Sequence, residues 1–285
     1  MITTLLWDVD GTLLDFIAAE KAAIRKLFRE YHLGECTDKM LARYSKINRS
    51  YWVKLENGEM TKREILVGRF HDFFESEGLD ASIAAEFNEK YQDRLGDADS
   101  IVYCDDSLNL IKSLQGKVKQ YAVSNGTIAA QTKKLKLSGI GELMDGIFLS
   151  EQLGYEKPNI EFFNQVFDAL GPVDKSEVLI VGDSLTSDIR GGNNAEILTC
   201  WYNPNHLSAG RVPEHRRGSG GPLEHPHVVV DDGRLPGNGC ADGCALPGAD
   251  TPGKRDRLPW SRGEKAHFLQ GERQQSGRRA GLYLL

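Results

Sequence analysis

The chain has 285 residues, is 40% hydrophobic and 27% charged, and carries a formal net charge of −6. This is the balance of a soluble globular chain, and it argues against a general nucleic-acid binder, which needs a basic face. No apolar run approaches the ~20 residues that span a bilayer. The start, Met1 to Asp8, has no basic residue and too short an apolar run for a signal peptide, and five cysteines are too few and too odd in number for a disulfide framework, which fits a reducing cytoplasm.

In chain order, the first buried strand is expected at Leu5–Trp7, a continuous apolar run of the kind that parallel sheets cover on both faces. About a hundred residues with almost no strand signal follow. Ile24, Leu27, Phe28 and Tyr31 recur there at helical spacing, as do Leu66, Phe70, Phe73 and Phe74, and Gly34, Asn57–Gly58 and Glu77–Gly78 punctuate the stretch as helix ends do. Residues 16–95 therefore read as an all-helical insertion lying over the sheet. Further strands are expected at Tyr121–Val123, Gly146–Leu149, Val178–Val181 and Ile197–Cys200, separated by helices at Thr127–Leu137, Asn159–Leu170 and Leu185–Asn194. Strands alternating with helices imply an α/β fold with a doubly wound, Rossmann-like parallel sheet. The expected division is a core of residues 1–15 and 96–206, a helical cap of residues 16–95, and a tail of residues 207–285.

The tail breaks with what precedes it. Residues 1–205 hold 16 Gly and 3 Pro, whereas the 80 residues from 206 to 285 hold 14 Gly and 7 Pro, and no isoleucine. A segment so poor in large apolar residues buries too little surface to offset its chain entropy, so it is expected to be mostly disordered. The shift in several residue types at once suggests sequence joined out of frame near Leu207, the alternative being a natural Gly/Arg-rich extension. Val228-Val229-Val230-Asp231-Asp232 is the one tail segment with the character of a strand.

Polar groups follow the ends of the expected strands: Asp8-Val9-Asp10-Gly11-Thr12 after the first, Ser124-Asn125-Gly126 after the second, and Gly182-Asp183 with Asp188 after the fourth. Lys157-Pro158 stands just ahead of a helix. In open α/β sheets the carboxyl ends of the strands gather at one crevice where ligands bind, so four distant segments deliver their groups to one edge. Asp8, Asp10 and Asp183 within a few ångströms resist joint ionisation unless a cation is present, and an oxygen-liganded divalent ion such as Mg2+ resolves the conflict. Lys157, the Ser124 hydroxyl and the backbone N–H groups of the helix starting near Thr127 suit a phosphate. Of two carboxylates two residues apart, one attacks phosphorus and the other protonates the leaving oxygen and later takes a proton from water.

These four segments, in this order and spacing, resemble the motifs of the haloacid-dehalogenase-like hydrolases, and a helical insertion after the first motif resembles that superfamily's cap. The resemblance implies Asp8 as nucleophile and Asp10 as general acid and base, with the Asp10 main-chain carbonyl also on Mg2+. It implies Asp183 as a direct ligand of the metal alongside Asp8, with Asp188 as a partner acting through water or through its neighbours. Thr12, Ser124 and Lys157, with backbone at Asn125 and Gly126, would hold the phosphate. The dehalogenases lack an acid at the place of Asp10, which favours phosphoryl chemistry. In the cap, Ile47-Asn48, Tyr51-Trp52, Leu55 to Met60 and Arg69-Phe70 are similar to those of pyrimidine nucleotidases that act on ordinary and modified nucleoside monophosphates, as is Cys200 to Pro204. The resemblance spans residues 1–206 and implies a Mg2+-dependent 5'-nucleotidase of the cytoplasm acting on a small phosphate ester. It implies neither a nucleic-acid polymer nor a membrane as partner.

Other readings stay open at this point. The same core serves phosphoglycolate or sugar-phosphate hydrolysis, because the cap sets the substrate. The abnormal end of the chain allows a poorly folded, non-catalytic product. Tyr51 and Trp52 either stack on a base or belong to the cap core; Phe70, Phe73 and Phe74 read as cap core. Asp188 also suits an early helical turn, where the dipole favours an acid.

Overall fold

The computed structural model describes residues 1–207 and 227–230. Strand β1 (Thr4–Trp7) leads into α1 (Phe16–Glu30), α2 (Asp38–Glu56), α3 (Lys62–Glu77) and α4 (Ala84–Leu95). The chain returns through α5 (Ser107–Leu114), β2 (Lys119–Ser124), α6 (Ile128–Leu137), β3 (Gly146–Leu149) and α7 (Ser150–Leu153). It continues with α8 (Ile160–Leu170), β4 (Val178–Gly182), α9 (Arg190–Asn194), β5 (Leu198–Tyr202) and β6 (His227–Val230). The strands pair in parallel in the order β3-β2-β1-β4-β5-β6. The winding runs outward from β1 to β3, then crosses back to β4, so the ends of β1, β2 and β4 meet where its direction reverses.

Both sheet faces are covered, which is why the strands read as unbroken apolar runs. Leu5, Trp7, Ala122, Leu179, Val181 and Cys200 pack with Ile111, Leu114 and Leu135 on one face. Leu6, Val123, Val178 and Ile180 pack with Phe162, Phe163 and Val166 on the other. Gln120, a polar side chain buried in β2, accepts from Trp7 Nε1 at 3.2 Å and donates to Ile111 O at 3.0 Å, so it costs little.

Residues 16–95 contain α1 to α4 and no strand. Asp15 caps α1 by accepting from Ala18 N, Thr61 and Glu64 form a capping box at α3, and Gly78 ends α3 with φ of 67°. These caps start and stop amphipathic helices whose inner faces enclose Phe28, Tyr44, Phe70, Phe73, Phe74, Phe87 and Tyr91. Tyr44 and Phe70 stack with ring centres 4.8 Å apart.

One expected helix differs. Residues 185–194 divide into a widened turn at Leu185–Ile189 and the short helix α9, because Ile189 N donates five residues back to Ser184 O at 3.1 Å. The expectations for residues 207–285 fall outside the described residues except at Leu207 and at β6, which lies parallel to β5 with Val228 opposite Cys200. Among the described residues no helix is long and apolar enough to cross a membrane.

Candidate active site

Asp8 continues β1 by donating its N–H to Val181 O at 2.9 Å, and the chain then turns sharply, with Leu14 N returning to Val9 O at 2.9 Å. Gly11 makes the turn possible. Its φ of 92° lies in the left-handed region, and a Cβ there would meet Asp183 Oδ2 at 2.6 Å. Thr12 Oγ1 donates to Asp8 Oδ2 at 3.0 Å and accepts from Asp183 N at 3.1 Å, so it ties the end of β1 to the end of β4.

Carboxylate oxygens of Asp8, Asp183 and Asp188 lie within 4.8 Å of one another. Lys157, 1% exposed, sends its three ammonium protons to Asp8 Oδ1 at 2.8 Å, Asp188 Oδ1 at 2.6 Å and Val123 O at 2.9 Å. Burial pushes the Asp8 carboxyl up to about 7; the Lys157 ammonium opposes that rise, and Asp188 and Asp10 add to it. Asp183, at the open rim, is held well above the ordinary carboxylate range by the surrounding protein and then by Asp8 and Asp188. Burial works against the charge of Lys157, yet Asp188 and Asp8 raise it above the ordinary lysine value. One ammonium, bonded to two of the three clustered carboxylates, leaves a negative excess of hard oxygen donors, the donor set that suits a small divalent cation.

The widened turn places Asp188. Asp188 Oδ2 accepts from Ser184 N at 3.1 Å, and Gly182 leaves space for it, since a Cβ there would come within 2.3 Å of the Asp188 carboxyl. On the other side of β1, Ser124 is buried and its Oγ accepts from Gly126 N at 3.0 Å. Asn125 donates Nδ2 to Lys157 O at 2.8 Å and accepts from Lys157 N at 2.8 Å. The structure thus brings Asp8, Thr12, Asp183, Asp188, Ser124, Asn125 and Lys157 together, with the Asn125 side chain spent on Lys157.

Asp10 stands apart. Its Oδ1 accepts from Lys134 Nζ at 2.5 Å and its Oδ2 from Gln131 Nε2, both on α6. Neither partner was expected from the sequence, where Lys and Gln read as surface residues. The available signal was their place in the buried stripe Ala130, Gln131, Lys134 and Leu135 of an amphipathic helix.

The helical unit touches the site from two sides. Glu56, at the end of α2, accepts from Thr186 Oγ1, and burial pushes its carboxyl up to about 7. Lys62, at the start of α3, donates to Ser150 Oγ at 2.9 Å and Gly126 O at 3.3 Å, and burial lowers its ammonium. Tyr51 packs with Leu55 and Ile65 and donates its hydroxyl to Asp72 Oδ2 at 2.6 Å, so packing describes it. Trp52 leans on the same cluster, partly buried, with the Arg69 guanidinium 6.0 Å from its ring centre. Asn48, Trp52 and Glu56 recur every four residues and share one stripe of α2.

Residues 5–202 match the family model of the haloacid dehalogenase-like hydrolases. The HAD-hydrolase YfnB of Bacillus subtilis is 40% identical over 201 residues, 70% of this chain and 84% of YfnB. The pyrimidine 5'-nucleotidase PynA of Streptococcus pneumoniae is 36% identical over 206 residues, covering 71% and 84%, and the pyrimidine 5'-nucleotidase YjjG of Escherichia coli 29% over 202 residues, covering 71% and 86%. A crystal structure of YfnB bound to magnesium, for which interdomain movement is described, matches with a TM-score of 0.69 at 38% identity over 74% of this chain and 90% of that one.

Proposed function

The chain belongs to the haloacid dehalogenase-like hydrolases, and from that premise we propose that it is a Mg2+-dependent phosphatase releasing the 5'-phosphate of pyrimidine nucleoside monophosphates. The observation that carries the chemistry is the cluster of the Asp8, Asp183 and Asp188 carboxylates, with the Lys157 ammonium bound to Asp8 and Asp188, at the meeting of three strand ends. The names of two relatives, PynA and YjjG, carry the choice of nucleotide.

Asp8 attacks phosphorus: an Asp8 oxygen–phosphorus bond forms, the ester P–O bond breaks, and a proton on Asp10 moves to the leaving oxygen. Water then attacks the aspartyl phosphate, Asp10 takes its proton, and inorganic phosphate leaves with Asp8 restored. Lys157 fixes the attacking carboxylate and sets a positive charge against the phosphoryl oxygens, while Ser124, Thr12 and the amides of the 124–126 loop offer donors to them. Asp8, Asp183 and Asp188, with the Asp10 carbonyl, would hold Mg2+, which supplies charge neutralisation to the transferring group when bound. Glu56 and Lys62 bring the helical unit, a cap of residues 16–95, against the mouth of this site, where the leaving nucleoside would lie. The unpaired cysteines Cys36, Cys104 and Cys200 suit a reducing cytoplasm.

The test is phosphate release from UMP, dUMP, TMP, AMP, phosphoglycolate and a hexose phosphate, with Mg2+ and with chelator. Selective release from the three pyrimidine nucleotides is expected. Release confined to phosphoglycolate or the sugar phosphate would keep the chemistry and overturn the substrate.

A further inference from the structure

Four aspartates surround the end of β1, yet only three of them converge. The fourth, Asp10, is held through both oxygens by α6: Lys134 Nζ reaches Oδ1 at 2.5 Å and Gln131 Nε2 reaches Oδ2. Both partners are buried, Lys134 at 2% and Gln131 at 0% exposure. An ammonium taken so far from water needs a counter-charge, and among the described residues the ion pair of Lys134 is with Asp10.

We propose that Gln131 and Lys134 are positioning residues that keep the Asp10 carboxylate out of the cation cluster and reserve it for proton transfer. The inference rests on the phosphatase reading above and adds to it the means by which neighbouring aspartates are given different work. Without such a hold, a carboxylate two residues from Asp8 competes for the same cation and is lost to acid–base chemistry. Gln131 has a further property. Its Oε1 is buried without a hydrogen-bond partner among the described residues, while Nε2 serves Asp10.

Gly126 belongs to the same device. A Cβ at Gly126 would lie 2.3 Å from Gln131 Nε2, so the glycine of the Ser124-Asn125-Gly126 loop opens the space through which Gln131 reaches Asp10. The loop thus connects three groups: Ser124 at the crevice, Asn125 on Lys157, and Gly126 beside Gln131.

The consequence is a dependence on the leaving group. Breaking the ester bond of an alkyl phosphate needs a proton on the departing oxygen, whereas 4-nitrophenolate departs unaided. Hydrolysis of the aspartyl phosphate needs Asp10 as a base with either ester. The experiment uses the full chain with saturating Mg2+ and measures rapid-mixing release of the first product. The esters are 4-nitrophenyl phosphate and UMP, or whichever alkyl ester of the panel turns over fastest. Gln131→Met, Lys134→Met and Lys134→Arg are compared with wild type, with thermal melting as the check on folding.

General acid catalysis contributes about 10²–10⁴-fold, so Lys134→Met is expected to lose about 100-fold with UMP and less than about tenfold in nitrophenolate release. With 4-nitrophenyl phosphate the variant should give a burst followed by slow turnover. Gln131→Met should show the same pattern more weakly, and Lys134→Arg should restore most of the rate with UMP. If Lys134→Met does not fold, the Gln131→Met pattern decides. Equal losses with both esters, or wild-type rates with UMP in the folded variants, would overturn the proposal. A wild-type protein that releases neither product overturns the phosphatase reading and this inference with it, whereas active wild type with indifferent variants removes the inference alone.

Discussion

Asn125 and Lys157, 32 residues apart in sequence, clasp each other through paired amides, each bond 2.8 Å long. The clasp joins the loop after β2 to the segment ahead of α8 and so fixes the backbone from which the Lys157 side chain reaches Asp8 and Asp188. A turn-forming asparagine is thereby converted into the support of a buried cation.

Asn125→Ala removes both bonds and leaves the Lys157 amide groups without their partner, a cost of about 1–3 kcal/mol. The melting temperature should drop, and kcat/KM should fall by about tenfold to a hundredfold as Lys157 loses its fixed position. Melting curves and steady-state kinetics check this; a variant with wild-type kcat/KM would show that the clasp does not position Lys157.

Asp8 and Glu56 both have folded-state values of about 7, above their ordinary 3.8 and 4.5. The folded protein therefore keeps protons that the unfolded chain has already released, and the stability from these groups, full below the ordinary values, is lost as pH rises through about 7. In chelator the melting temperature should decline from about pH 5 to about pH 8, and added Mg2+ should raise it most at the upper end, where it meets ionised carboxylates. A profile in chelator that is flat or rises over this window contradicts the reading.

Arg69, 1% exposed, donates to Asn48 Oδ1 at 2.7 Å and Asn88 Oδ1 at 3.1 Å, and Asn48 Nδ2 in turn donates to Glu20 Oε2 at 2.7 Å. Burial raises the Glu20 carboxyl, while Ser45, Asn48 and Arg69 lower it. Arg69→Met leaves Asn48 and Asn88 without their donor and Glu20 without the network's cation, and losing one partner of such a network costs about 3–5 kcal/mol. Denaturant titration should show this loss, and the double variant Arg69→Met with Glu20→Gln should recover part of it. A loss below about 1 kcal/mol would mean that water reaches Glu20.

The strands were legible because both faces of the sheet are buried, so Leu5–Trp7 and Val178–Val181 appear as unbroken apolar runs. Val228–Val230, the tail segment with the character of a strand, lies in β6. Asp8 and Asp183 were legible because topology delivers strand ends to one crevice, and Lys157 and Asp188 because of their order and spacing after those ends. Gln131 and Lys134 were not: residue type marks them as surface, and the carboxylate of Asp10, 121 and 124 residues away, makes their burial tolerable. The widened turn at Leu185–Ile189 escaped because a five-residue hydrogen bond leaves no mark on helical periodicity. Glu56 and Lys62 depend on how α2 and α3 lie against the core, which no local pattern encodes.

The most direct measurement is phosphate release from UMP by the wild type and by Asp8→Asn, each with Mg2+ and with chelator. The structure predicts turnover by the wild type with Mg2+ alone, and none by Asp8→Asn under either condition. Turnover by Asp8→Asn, or undiminished turnover by the wild type in chelator, would contradict the assignment of Asp8 as the nucleophile of a cation-dependent phosphatase.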